Sequence, residues 1–257
     1  MHRRRFLRES GGFMLAAACA SEVQATQPDG WIDLMGPKTD GLTAFAKPTG
    51  FWKQARDVEM DKSDPRKIVW KEATTPTGIW VNGPNGRTNN LVTAEKFGDV
   101  EVELEFLVAK GSNSGIKLQG LYEIQIFDSF GVPAEKFDAS GMGGIYPRAE
   151  LLPRYHHIDK GYPASVNASL PPGQWQSMQV VFRAPRFDST SKKIEPAKFE
   201  RVTINGKLVH ENKVLPTPTG HAYVLPEVPV GPLFLQGDHG PVAFRNVRIR
   251  RLTNSIS

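Results

Sequence analysis

What the 257-residue chain lacks narrows it first. It has one cysteine, Cys19, which lies close to the N-terminus. Residues 26–257 therefore make no disulfide of their own and supply no thiolate for catalysis or for a zinc site. No apolar run is long enough to cross a bilayer of ~30 Å, and that includes the weakly apolar stretch from Gly12 to Ala20. No sustained helical periodicity is present, and 20 Pro with 24 Gly work against long helices. A basic stripe is missing too. Of the formal charge of +5, Arg3, Arg4, Arg5 and Arg8 against Glu9 and Glu22 account for +2, which leaves +3 beyond residue 25. Only Arg248, Arg250 and Arg251 cluster there, too few for a nucleic-acid footprint.

What is present starts with an address. Arg3-Arg4-Arg5-Phe6-Leu7-Arg8 has the order of a twin-arginine export signal. A short apolar stretch and the small-residue site Val23-Gln24-Ala25 follow. Residues 1–25 are thus expected to be an export signal peptide, and the protein periplasmic or extracellular. Ala16-Ala17-Ala18-Cys19 is similar to a lipoprotein processing site, which leaves a lipid anchor at Cys19 open. Hydrophobic residues make up 39% of the chain, enough for residues 26–257 to form one packed domain.

That domain reads as all-β. Val100 to Phe106 alternates apolar and acidic residues, so one face is buried and the other carries Glu101, Glu103 and Glu105. Asn113 to Leu118 sets Ser114, Ile116 and Leu118 on one face and Asn113, Gly115 and Lys117 on the other. Tyr122 to Phe127 sets Tyr122, Ile124 and Ile126 against Glu123 and Gln125. Three such strands in succession describe antiparallel sheet with one wet side. Lys67 to Trp70, Gly78 to Val81, Gln174 to Phe182, Gly231 to Gln236 and Val242 to Leu252 read as further strands. Lys198 to His210 reads as a hairpin turning at Asn205-Gly206, the pair that tolerates positive φ at both central positions. Many short strands separated by turns predict a β-sandwich of two antiparallel sheets. Residues 129–172 read as one long irregular connection, rich in Gly and Pro, carrying Tyr146, Tyr155, His156, His157 and Tyr162. A loop of that length in a compact domain is usually functional.

Several residues are candidates for chemistry. Glu123-x-Gln125-x-x-Asp128 invites comparison with sandwich glycosidases, but five residues separate the two acids, which puts them on opposite faces of a straight strand. Their Cα atoms would lie ~16 Å apart at ~3.3 Å per residue, against the ~5–5.5 Å between carboxyl groups in a retaining enzyme. His156-His157 with Asp138 or Asp159 matches no compact metal motif, since adjacent side chains diverge. His239 sits in the turn Gly237-Asp238-His239-Gly240, where a histidine has no packing role. Gln236, opposite in phase to Leu233 and Leu235, is expected on the polar face, with His239 at its edge.

Taken in order, a set of motifs carries a family resemblance. They are Asn113-Ser114-Gly115-Ile116, Tyr122-Glu123-x-Gln125-x-x-Asp128, Gly144-Ile145-Tyr146, Gly173-Gln174-Trp175, Asn205-Gly206, and residues 231–246 from Gly231 to Asn246. The chain resembles the 3-keto-disaccharide hydrolases, also described as 3-keto-glucoside lyase/hydratases, over about residues 30–252. Lys117 stands where that family often has Arg, and Gln176 where Asn often follows the Trp. The resemblance implies a concanavalin A-like jelly roll with its site on a concave face. It also implies an oligosaccharide or glycoside substrate, cleaved by elimination and hydration. A C3 ketone acidifies the proton on C2; a base removes it, the C1 substituent leaves, and water adds to the enone. That scheme needs a base, an acid and an enolate stabiliser. Glu123 or Asp128 fits the base, His239 the proton exchange, and Lys117 or a divalent metal the stabiliser. Asn113, Gln125, Tyr146, Trp175 and Gln236 are the expected substrate-binding residues. The alternatives are a lectin-like carbohydrate-binding module, which needs only aromatics and hydrogen bonders, and a conventional glycoside hydrolase.

Overall fold

In a computed structural model the described residues are 30–39, 41–46 and 49–253. The expected export signal and Cys19 lie outside them. The strands are β1 (Trp31–Met35), β2 (Lys53–Met60), β3 (Ile68–Glu72), β4 (Ile79–Val81), β5 (Leu91–Phe97), β6 (Val100–Val108), β7 (Asn113–Leu118), β8 (Tyr122–Phe127), β9 (Ala149–Glu150) and β10 (His156–His157). They continue with β11 (Gln176–Arg183), β12 (Arg186–Phe187), β13 (Lys193–Glu195), β14 (Ala197–Ile204), β15 (Lys207–Leu215), β16 (Gly231–Leu235) and β17 (Val242–Arg251). Helix among the described residues is confined to two short 3₁₀ turns, Ala134–Lys136 and His221–Val224. The fold is an all-β jelly-roll sandwich.

The larger sheet runs β15-β14-β11-β6-β17-β4-β2-β3, with β1 also on β17; the smaller runs β5-β16-β7-β8. Alternation is what holds them face to face. Val102, Leu104, Phe106, Phe182, Phe199 and Phe244 from the larger sheet share one buried cluster with Ile116, Ile124, Ile126 and Leu235 from the smaller. Truncating a buried Phe in such a layer costs about 3–5 kcal/mol. On the opposite face of β6, Glu101, Glu103 and Glu105 meet Arg250, Arg248 and Arg245 of β17 at 2.5, 2.5 and 2.6 Å. Arg245 and Arg248 are three residues apart, so a regular strand would point them to opposite faces. A bulge between them, with Asn246 at φ 50°, restores the phase. The acidic face, read from the sequence as the side away from the core, is an ion-paired ladder.

The hairpin at Asn205-Gly206 forms as expected, with φ of 51° and 75°. β2 and β5 are strands that the pattern did not announce. Ala55 and Val58, both buried, are three residues apart because the β2–β3 register shifts between Ala55 and Asp57. The long connection is partly structured. Gly143 donates to the Gln125 carbonyl and Gln125 to the Gly144 carbonyl, both at 2.8 Å, so residues 143–146 run along the free edge of β8. A hairpin of β9 and β10 follows.

Candidate active site

The site builds up from the outer face of the smaller sheet. In register, Lys117 of β7 lies opposite Glu123 of β8, and Gly115 opposite Gln125. Lys117 Nζ is 3.1 Å from Glu123 Oε2, and Glu123 is only 5% exposed although it points away from the core. Its cover comes from the connections. Tyr146 lies across from Glu123, its backbone N–H donating to the Glu123 carbonyl at 3.3 Å. Thr219 Oγ1 accepts from the Glu123 amide at 2.9 Å. A Cβ at Gly220 would stand 3.8 Å from Glu123 Oε2 and 3.9 Å from Tyr146 Cδ1, so the carboxylate and the phenol ring flank one spot.

Gly115 is the floor of this arrangement. A Cβ there would come within 2.8 Å of Glu123 Oε1, closer than any side chain tolerates without movement. On either side of Gly115 stand two amides. Gln125, 2% exposed, donates through Nε2 to Asn113 Oδ1 at 3.0 Å. Gln236, beyond the end of β16, donates its backbone N–H to the Gly115 carbonyl at 2.9 Å. One polar atom of its side chain, Oε1, is buried without a partner among the described residues. Its Nε2 lies 3.1 Å from His239 Nδ1, which is 2.6 Å from Asp238 Oδ1. With its hydrogen on Nδ1 the imidazole donates to the Asp238 carboxylate and makes no bond to the Gln236 amide nitrogen, and Nε2 of this half-exposed ring stays open. Phe234 closes the row, its ring centroid 5.4 Å from Lys117 Nζ.

Around Tyr146 a second group assembles. Tyr155 donates its hydroxyl to Tyr146 Oη at 2.9 Å, and His157 Nε2 lies 3.1 Å from the same oxygen. Burial pushes the Tyr146 phenol up, and the nearby Glu123 carboxylate adds to the rise. Tyr155 is also raised, chiefly by burial, with Glu123 adding. Tyr146 is therefore a protonated hydroxyl across the ordinary pH range.

Two expected residues fall elsewhere. Asp128, past the end of β8, spends its carboxylate on a turn, accepting from the Gly111 amide at 2.9 Å and the Phe130 amide at 3.4 Å. It makes no pair with Glu123, as the odd spacing foretold. Trp175 corrects the sequence expectation of a substrate-binding role. It stacks on Arg245, 4.1 Å from ring centroid to guanidinium, and packs against a small cluster that includes Leu107 and Ala243. Those residues face away from Phe106 and Phe244, so the whole core separates Trp175 from Lys117 and Glu123. His157 joined the sequence reading as part of the long functional connection and as an unpromising metal ligand, and Thr219 and Gly220 not at all. No local pattern links them to Glu123, because residues 129–172 and 216–230 reach the site by long-range folding alone. His156 turns away from His157, toward Glu150.

A divalent metal was a candidate enolate stabiliser. Among the described residues no three His, Cys, Asp or Glu side chains gather to hold one, and Glu123 faces an ammonium group instead. The donor set does not fit a metal, and no step below passes through one.

Fold and site together define a carbohydrate-active β-sandwich. The family model of the 3-keto-alpha-glucoside-1,2-lyase-like domain matches residues 30–250, and the chain belongs to that family. Three solved structures from Parabacteroides distasonis ATCC 8503, each described as a candidate glycosyl hydrolase, share the fold. The first is 24% identical with TM-score 0.58, covering 88% of this chain and 86% of its own. The second is 15% identical with TM-score 0.52, covering 90% and 99%. The third is 20% identical with TM-score 0.50, covering 86% and 99%. No curated protein matches the chain.

Proposed function

We propose that the protein cleaves 3-keto-disaccharides and related 3-keto-glycosides by elimination across C1–C2 followed by hydration, a net hydrolysis. The observation that carries this reading is the cross-strand Lys117–Glu123 pair, 3.1 Å apart on a floor cleared by Gly115. The acidified proton on C2 and the carbonyl oxygen on C3 are borne by adjacent carbons. A base and a cation held side by side suit that geometry. In this reading Glu123 removes the C2 proton, and Lys117 moves from the carboxylate to the developing enolate oxygen. Asn113, Gln125 and Gln236 bind sugar hydroxyls. His239 exchanges protons through its open Nε2.

The test offers the purified protein a 3-keto-disaccharide and assays free 3-keto-glucose. The expected outcome is turnover by the parent protein and a loss of at least ~1,000-fold in Glu123→Gln, since general-base catalysis is worth ~10²–10⁴ and Gln also disrupts the ion pair. No turnover of any 3-keto substrate removes the reading. We infer as well that the protein is exported, from Arg3-Arg4-Arg5-Phe6-Leu7-Arg8. Replacing Arg3 and Arg4 by Lys should hold it in the cytoplasm in a cell fractionation; unchanged export would contradict the inference.

A further inference from the structure

We propose that Tyr146 is the acid that protonates the departing oxygen on C1, with Tyr155 and His157 as the residues that position its hydroxyl. The proposal rests on the elimination reading and names the group that reading leaves open.

The geometry carries it. Tyr146 opposes Glu123 across the edge of β8, since Ile145 pairs with Ile124, so the two side chains rise from the same face. Both come within 4 Å of the point a Gly220 Cβ would take, at 3.8 and 3.9 Å. In a 3-keto-glycoside, C2 lies between the ketone carbon and the carbon bearing the leaving group. Lys117 serves one side of the Glu123 carboxylate; Tyr146 stands toward another. The Tyr146 oxygen already accepts from the Tyr155 hydroxyl at 2.9 Å. With His157 carrying its hydrogen on Nε2, 3.1 Å away, the oxygen accepts twice and its own hydrogen is left to aim outward. Two donors on one phenol oxygen also stabilise the phenolate that remains after the proton has gone. The ring is fixed as well, edge-on to His157 with centroids 5.2 Å apart.

The proton and electron count closes. Glu123 takes the C2 proton, and the C–H pair becomes the C2–C3 double bond of the enolate. Collapse of the enolate restores the C3 carbonyl, forms the C1–C2 double bond and breaks the C1–O bond. The departing oxygen keeps that pair and takes the Tyr146 proton. In the second half, water adds to C1 and gives a proton to the Tyr146 phenolate. Glu123 returns its proton to C2, and both side chains regain their starting states. A phenol held above its ordinary range suits a sugar alkoxide, itself a strongly basic leaving group.

An acid at the leaving group matters only where the leaving group needs one. Tyr146→Phe is assayed on a 3-keto-disaccharide and on a nitrophenyl 3-keto-glucoside, whose phenolate departs unaided. The expected result is a loss of at least ~100-fold in kcat on the disaccharide and little loss on the nitrophenyl substrate, with Glu123→Gln impaired on both. Tyr155→Phe and His157→Ala should steepen the dependence of rate on leaving-group acidity without abolishing nitrophenyl turnover, which a merely structural role would not do. Retention of full disaccharide turnover by Tyr146→Phe, or equal losses on both substrates, overturns the assignment and leaves the elimination reading standing. A parent protein inactive on both substrates removes the two together.

Discussion

At the scale of single residues the site depends on what is not there. Gly115 has no side chain, and the Glu123 carboxylate occupies the space one would fill. Gly115→Ala keeps the strand but must push that carboxylate off Lys117. Displacing a reacting group by about 1 Å costs on the order of 100-fold in rate. Gly115→Ala should therefore lose about 100-fold in kcat/KM on a 3-keto-disaccharide, with a change in Tm of only a few degrees. A kinetic assay beside a thermal melt checks it, and a variant with parental kinetics would contradict the crowding argument. Lys117, Glu123, Gln125 and Asn113 were legible in the sequence because period-two alternation puts them on one polar face. Gln236 was legible by its phase against Leu233 and Leu235. A carboxylate in a motif looks the same whether it serves chemistry or caps a turn, and the sequence could not show that Asp128 accepts from the Gly111 and Phe130 amides. Trp175 was misjudged because an aromatic beside a strand does not reveal which sheet face it covers.

At the scale of elements, the strand edges decide what the pattern could show. β7 and β8 keep strict alternation, and their sequence bounds match the structure. β2 and the β5–β16 pair carry register shifts, and a shift breaks the very periodicity by which a strand is recognised. The segment 143–146 was read as loop because its pairing partner is the edge of β8, far off in sequence. It is held from behind by His210 of β15, whose Nε2 donates to the Gly143 carbonyl at 2.8 Å. Burial lowers the His210 pKa from 6.5 to about 4, with the Gly143 carbonyl opposing and the Lys213 charge adding. The unfolded chain takes up this proton first. Its share of stability is therefore whole above pH ~6.5 and is lost progressively as pH falls to ~4, on the order of 3 kcal/mol. Urea midpoints across that range should fall with pH in the parent, and less steeply in His210→Gln, which still donates to Gly143. Parallel slopes would show that another group governs the acid limb.

At the scale of the whole molecule, the sandwich divides its labour between two outer faces. The larger sheet spends its outer face on the Glu–Arg ladder, with Trp31 and Trp175 stacked on guanidinium groups. The smaller sheet leaves its outer face to a buried ion pair, two amides and a tyrosine pair, and the long connections fold over them. Both faces alternate in sequence in the same way, so composition and periodicity predicted the two-sheet fold without saying which side would work. The choice appears only once residues 129–172 and 216–230 are seen to cover one side. The central claim is that this covered face performs an elimination that begins at C2. A 3-keto-disaccharide carrying deuterium at C2 tests it most directly. The account predicts slower cleavage than of the unlabelled sugar, with the unoxidised disaccharide inert. Cleavage of labelled and unlabelled sugar at equal rates, or hydrolysis of the unoxidised disaccharide, would contradict it.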